Sequence, residues 1–226
     1  MLVLFGATGD LAARKLLPGL FHLFRAELLP EEFRIIGSGR HSPGTDDEFR
    51  ELVRAVVTEH GRGEVDERWD EFAGRLSFVA SSAEDGSELA QAVTDAEQEI
   101  GASGKRLVYL SVPPSAMQPM IGMLDGSGIA ENCSLVLEKP FGHDAKSACE
   151  LNAALGEVLP EHEIYRIDHI LGKEAVLDLL ALRSPTRCSS RSGTASTSVT
   201  CRSTCPRSST SRGGRRSTSR PVPCAT

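Results

Sequence analysis

The stretch Leu2-Val3-Leu4-Phe5-Gly6-Ala7-Thr8-Gly9-Asp10-Leu11-Ala12 decides the fold. Four apolar residues ended by glycine read as a short buried strand, and the text from Asp10 to Phe24 turns helical, with Leu11, Leu16, Leu20, Leu23 and Phe24 on one broad face. Between strand and helix, Gly6, Gly9 and Ala12 form a G-x-x-G-x-x-A pattern. Gly6 permits a tight turn, Gly9 lets the backbone approach a pyrophosphate, and Ala12 allows the helix to pack close to the sheet. The helix N-terminus adds N–H groups and positive dipole for an anion. The pattern alone also fits an ordinary strand-turn-helix. Its position at the first βα turn is what points to a nucleotide.

Outward from this turn the same alternation repeats. Strands are expected at Phe33–Ser38, Leu76–Val79, Leu107–Ser111 and Ser134–Leu137, and helices at Asp46–His60, Ser87–Ile100, Ser115–Leu124 and Ala145–Glu157. Short apolar strands separated by helices predict an α/β fold, a Rossmann-like doubly wound parallel sheet covered on both faces. After the last helix, Ile164–Ile167 reads as one more strand and Lys173–Leu182 as a helix, the incomplete start of an α+β second domain.

The end of the second strand discriminates between cofactors. NAD enzymes usually carry an acid there for the ribose 2′-hydroxyl, whereas this strand runs into Gly37-Ser38-Gly39-Arg40-His41 with no acid before Asp46. An acid would repel a 2′-phosphate and Arg40 can pair with it, which favours NADP. Arg40 also fits a solvated turn. Pro113 and Pro114 give the fourth strand a stiff exit without backbone donors, suited to lining a cofactor groove and equally to ending a strand.

Two further segments carry chemistry. Glu138-Lys139-Pro140-Phe141-Gly142 follows a buried strand at the carboxyl edge of the sheet, where Lys139 is a candidate anion or hydroxyl ligand, or a lysine reaching for solvent. Arg166-Ile167-Asp168-His169-Ile170-Leu171-Gly172-Lys173-Glu174 places an acid, an imidazole and two bases within nine residues. His169 and Lys173 are four apart, so in a helix both can face one phosphate. Asp168 can orient an imidazole from elsewhere and stabilise its protonated form. A polar loop ahead of a surface helix accounts for the same text. No metal site is expected.

The formal charge of −6 over 226 residues hides a split. Residues 184–226 carry eight arginines and no acid, leaving 17 basic against 31 acidic residues before them. That tail has no Leu, Ile, Met, Phe, Tyr or Trp from which to build a core, and it is expected to be disordered. An Arg-rich arm for nucleic acid is one reading of it. The other is an out-of-frame segment beginning near Ser184, since the missing residue types are largely those with A/T-rich codons. Cys201 and Cys205 lack a neighbouring histidine and do not read as a zinc site.

Only Cys133 and Cys149 occur in residues 1–183, and no signal peptide or membrane-length apolar run is present, which suggests a cytoplasmic protein. The expected organisation is a dinucleotide-binding domain at 1–162, the start of a substrate domain at 163–183 and the tail at 184–226.

Together these motifs resemble the glucose-6-phosphate dehydrogenase family. GATGDLA at 6–12 is similar to its G-A-S-G-D-L-A turn, EKPFG at 138–142 to its E-K-P-F-G, and RIDHILGKE at 166–174 to its R-I-D-H-Y-L-G-K-E, in matching order over residues 2–183. The resemblance implies oxidation of glucose 6-phosphate at C1 with hydride transfer to NADP. It implies that Gly6, Gly9, Asp10, Leu11, Arg40 and Pro113 serve the cofactor and that Lys139 lies between cofactor and sugar. His169 and Lys173 then hold the sugar phosphate, and Asp168 pairs with the catalytic histidine. Ile170 replaces the family's tyrosine, and His143 stands where another residue is usual.

The resemblance also implies a base, a second histidine well beyond the signature, and a homodimer built largely from the second domain. The six histidines are His22, His41, His60, His143, His162 and His169, so none follows the signature. Impaired turnover and a lost dimer interface are therefore expected. The alternatives are a non-catalytic NADP-binding module and an interaction protein using the Arg-rich tail.

Overall fold

The computed structural model describes residues 1–61, 65–101 and 105–168. The expected helix after Lys173 and the tail lie outside them. Among the described residues, six strands form one all-parallel sheet: β1 (Leu2–Phe5), β2 (Ile35–Gly39), β3 (Leu76–Ala80), β4 (Arg106–Leu110), β5 (Cys133–Glu138) and β6 (Ile164–Ile167). Their spatial order is β3-β2-β1-β4-β5-β6, the order of a Rossmann fold with its switch point between β1 and β4.

Helices α1 (Leu17–Arg25), α2 (Asp46–His60), α3 (Trp69–Ala73), α4 (Ser87–Glu99), α5 (Pro114–Gly126) and α6 (Ala145–Val158) connect the strands. Because successive strand residues face opposite ways, Val3 and Phe5 enter a core with α4, α5 and α6, while Leu4 enters a second core with α1, α2 and α3. At Gly37 an added Cβ would lie 2.7 Å from the Phe49 ring, so β2 needs glycine there for α2 to pack as closely as it does. No helix among the described residues is long and apolar enough to cross a membrane.

Three features differ from the sequence reading. A π-turn at Ala12–Leu16 precedes α1, with Leu17 N–H bonded to the Ala12 carbonyl five residues back. The extra residue rotates the helix, so Ala12, Leu17, Phe21 and Phe24 are buried, whereas Leu23 is 38% exposed. Helix α3 was not anticipated, because five residues are too few to show a period. It brings Trp69 and Phe72 edge-on to Phe21, with ring centroids 5.5 and 5.3 Å apart.

The third is β6. The strand lies at Ile164–Ile167 as expected, but it pairs in parallel with β5, from Leu135 opposite Ile164 to Glu138 opposite Ile167. It is thus the sixth strand of this sheet, and the compact unit runs from Met1 to Asp168. Helix α6 crosses back over one face and delivers the chain alongside β5. Local periodicity names a strand without naming its neighbour.

Candidate functional site

The site begins where β1 ends. Gly6 has φ +73°, and a Cβ there would lie 2.1 Å from the Ser111 carbonyl oxygen. Conformation and space both require glycine. The N–H groups of Gly6 and Ala7 donate to the Ser38 carbonyl at 2.8 and 3.1 Å, Gly9 N–H donates to the Gly6 carbonyl at 2.9 Å, and Ala13 N–H to the Gly9 carbonyl at 3.0 Å. The turn is thereby fastened to β2 and runs directly into the helix. Ala12 is fully buried, which brings that helix against the sheet.

Above this turn, at the carboxyl ends of the strands, opens a cleft of about 470 Å³. Its walls are the turn itself at Gly6, Thr8 and Gly9, the exits of β2 at Arg40 and of β3 at Ser81, and the exit of β4 at Pro113. The segments expected to hold a dinucleotide therefore converge across the switch point. Arg40 is exposed at the end of β2 and enters no ion pair among the described residues. A glycine cradle under a helix start, with a guanidinium at the β2 end and no acid there, fits a phosphorylated dinucleotide.

Asp10 and Leu11 do not line this cleft. Asp10 Oδ1 accepts from Arg14 Nε at 2.6 Å on the exposed side of the first helical turn, and Leu11 is half-buried.

A second cluster stands at the carboxyl ends of β5 and β6. Lys139 Nζ donates to Asp168 Oδ2 at 2.5 Å, with the Asp168 side chain 22% exposed and that of Lys139 55%. This is the sheet edge that the sequence marked for chemistry, and register explains the meeting, since Glu138 and Ile167 are paired neighbours of the two. The Lys139–Pro140 peptide bond is cis. Glu138 is buried and accepts a hydrogen bond from the Tyr109 hydroxyl. Burial first, and then the Glu138 carboxylate, raise the Tyr109 phenol well above its ordinary range, so it remains a donor. His169 and Lys173 lie outside the described residues.

Sequence reasoning missed Ser38, whose carbonyl ties down the glycine turn, and the Tyr109–Glu138 bond. A polar residue inside a buried strand and a carboxylate ending an apolar one were the available signals. Arg166, within the dense motif, is occupied structurally: its guanidinium donates to Glu161 Oε1 at 2.7 Å and to Asn152 Oδ1 at 2.8 and 3.1 Å, fastening β6 to α6.

The family described as "Glucose-6-phosphate dehydrogenase, NAD binding domain" matches residues 3–178. Glucose-6-phosphate 1-dehydrogenase 2 of Mycobacterium bovis is 39% identical over 191 residues, covering 80% of this chain and 37% of the relative. The crystal structure of glucose-6-phosphate 1-dehydrogenase from Mycobacterium avium superposes with a TM-score of 0.70 at 36% identity, over 83% of this chain and 40% of that one. A glucose-6-phosphate dehydrogenase in complex with its substrate glucose-6-phosphate gives 0.72 at 34% identity, over 80% and 39%. The chain thus spans well under half the length of these relatives.

Proposed function

This chain belongs to the glucose-6-phosphate dehydrogenase family, a family of oxidoreductases, and from that premise we propose that it carries the NADP site and part of the sugar-phosphate site for oxidising glucose 6-phosphate to 6-phosphogluconolactone in the cytoplasm. The observation that carries the reading is the cleft in which Gly6, Gly9, Arg40 and Pro113 meet at the switch point. NADP, once bound, accepts the hydride. The residues of the chain bind and orient. Gly6 and Gly9 give the pyrophosphate close access to backbone N–H groups, Arg40 pairs with the 2′-phosphate, and Lys139 stands toward the sugar. His169 and Lys173 hold the sugar phosphate. Asp168 supports the charge on the imidazole that takes the C1 hydroxyl proton.

The carboxylate of Asp168 is engaged by Lys139 through Oδ2.

Fluorescence titration of the 226-residue chain with NADPH and NADH tests the cofactor half. NADPH is expected to bind more tightly, and Arg40→Ala to weaken NADPH by about tenfold while leaving NADH little changed, the size of one charge-assisted hydrogen bond. Equal loss for both cofactors would remove the 2′-phosphate role of Arg40.

A further inference from the structure

Ser38 is fully buried near the end of β2, and its hydroxyl oxygen lies 2.8 Å from the Val79 carbonyl oxygen and 2.6 Å from Ser81 Oγ. A carbonyl only accepts, and a serine hydroxyl has a single hydrogen. With that hydrogen given to Val79, the Ser38–Ser81 contact must be bridged by the hydrogen of Ser81. Ser81 therefore donates inward, and only its lone pairs remain for the cleft that it helps to line.

The position of Ser81 is set as well as its polarity. Its N–H donates to the Gly39 carbonyl at 3.0 Å, which holds the β3 exit against the β2 exit. An added Cβ at Gly39 would stand in ordinary van der Waals contact with Phe78 Cζ and Thr8 Oγ1, each 3.7 Å away, beside the wall that Ser81 forms.

We propose that Ser81 is a hydrogen-bond acceptor for the adenosine half of the dinucleotide, and that Ser38 acts as the positioning residue that makes it one. The inference rests on the NADP reading above and adds a specificity contact to it. A phosphate oxygen, itself an acceptor, is disfavoured at Ser81 and left to the Arg40 side. The adenosine half offers two kinds of neutral donor, the 6-amino group of adenine and the free hydroxyl of the 2′-phosphorylated ribose. Either supplies the required hydrogen.

The test titrates the full chain, its Ser81→Ala variant and its Ser38→Ala variant with NADP, with the analogue carrying hypoxanthine for adenine, and with the 3′-deoxyribose analogue. Near-ultraviolet circular dichroism checks that each variant is folded. One analogue is expected to bind the unmodified chain about fivefold more weakly than NADP, the worth of a neutral hydrogen bond, and which analogue responds identifies the donor. The penalty should vanish in Ser81→Ala. It should shrink in Ser38→Ala, where the Ser81 hydroxyl is free to turn. If both analogues bind as NADP does, or if the penalty survives unchanged in Ser81→Ala, the proposal fails while the NADP reading stands. If the unmodified chain binds neither NADP nor NADPH, the NADP reading falls and takes this contact with it.

Discussion

At the scale of single residues, the site depends on positions where a side chain would collide. Gly6 combines a left-handed φ of +73° with a Cβ position 2.1 Å from the Ser111 carbonyl oxygen. Gly6→Ala should force the β1 and β4 exits apart, lower stability by about 1–3 kcal/mol and abolish measurable NADPH binding. Thermal unfolding and NADPH titration on the same variant check both halves, and a variant with unchanged melting and affinity would contradict the steric account. The need for glycine here was legible from the spacing of Gly6, Gly9 and Ala12. The identity of the clashing partner was not, because Ser111 is brought to Gly6 only by the pairing of β4 with β1.

At the scale of elements, α2 shows how completely local text can specify a helix. Thr45 accepts from Glu48 N–H at 3.3 Å while the Glu48 carboxylate accepts from Thr45 N–H at 2.6 Å, a reciprocal cap, and Asp46, Asp47 and Glu48 fill the first turn. Thr45→Ala is expected to cost about 1 kcal/mol in denaturant unfolding and to leave NADPH affinity nearly unchanged, since the cap lies outside the cleft. The first helix behaves differently. Its text predicts a face of Leu11, Leu16, Leu20, Leu23 and Phe24; Phe24 is buried and Leu16 and Leu20 pack against the same core, while the π-turn adds Ala12, Leu17 and Phe21 to the buried stripe and leaves Leu23 exposed. A helical period read from sequence assumes a uniform pitch, and the π-turn breaks that pitch within one turn of the glycine turn.

At the scale of the whole molecule, two apolar layers enclose the sheet and bury groups that must stay neutral. Cys133 is buried at the start of β5, and burial pushes its thiol from 9.0 up to about 11. The Tyr109 phenol is raised in the same sense by burial and by Glu138. For groups raised in the folded state, the stabilisation is fully present below the unfolded value and is lost as pH rises through the folded one. Stability should therefore be flat across neutral pH with respect to these groups and should decline from about pH 9 upward, Cys133 contributing up to about 2 kcal/mol of the loss. Melting temperature measured against pH tests this. Cys133→Ala should flatten the alkaline decline, and a decline of unaltered steepness would exclude the thiol as a source.

The sequence by itself determined the alternation of strands and helices, the glycine turn at the first βα junction, and the absence of an acid at the end of β2. These are properties of residues close together in the chain, where period, capping and turn chemistry act over a few bonds. Only the tertiary structure decided that β1 lies between β2 and β4, that β6 completes this sheet, that Lys139 meets Asp168, and that Ser38 turns the hydroxyl of Ser81 inward. Each of those depends on hydrogen bonds or burial between segments tens of residues apart, and such pairings are selected by the packing of the whole sheet rather than by local sequence.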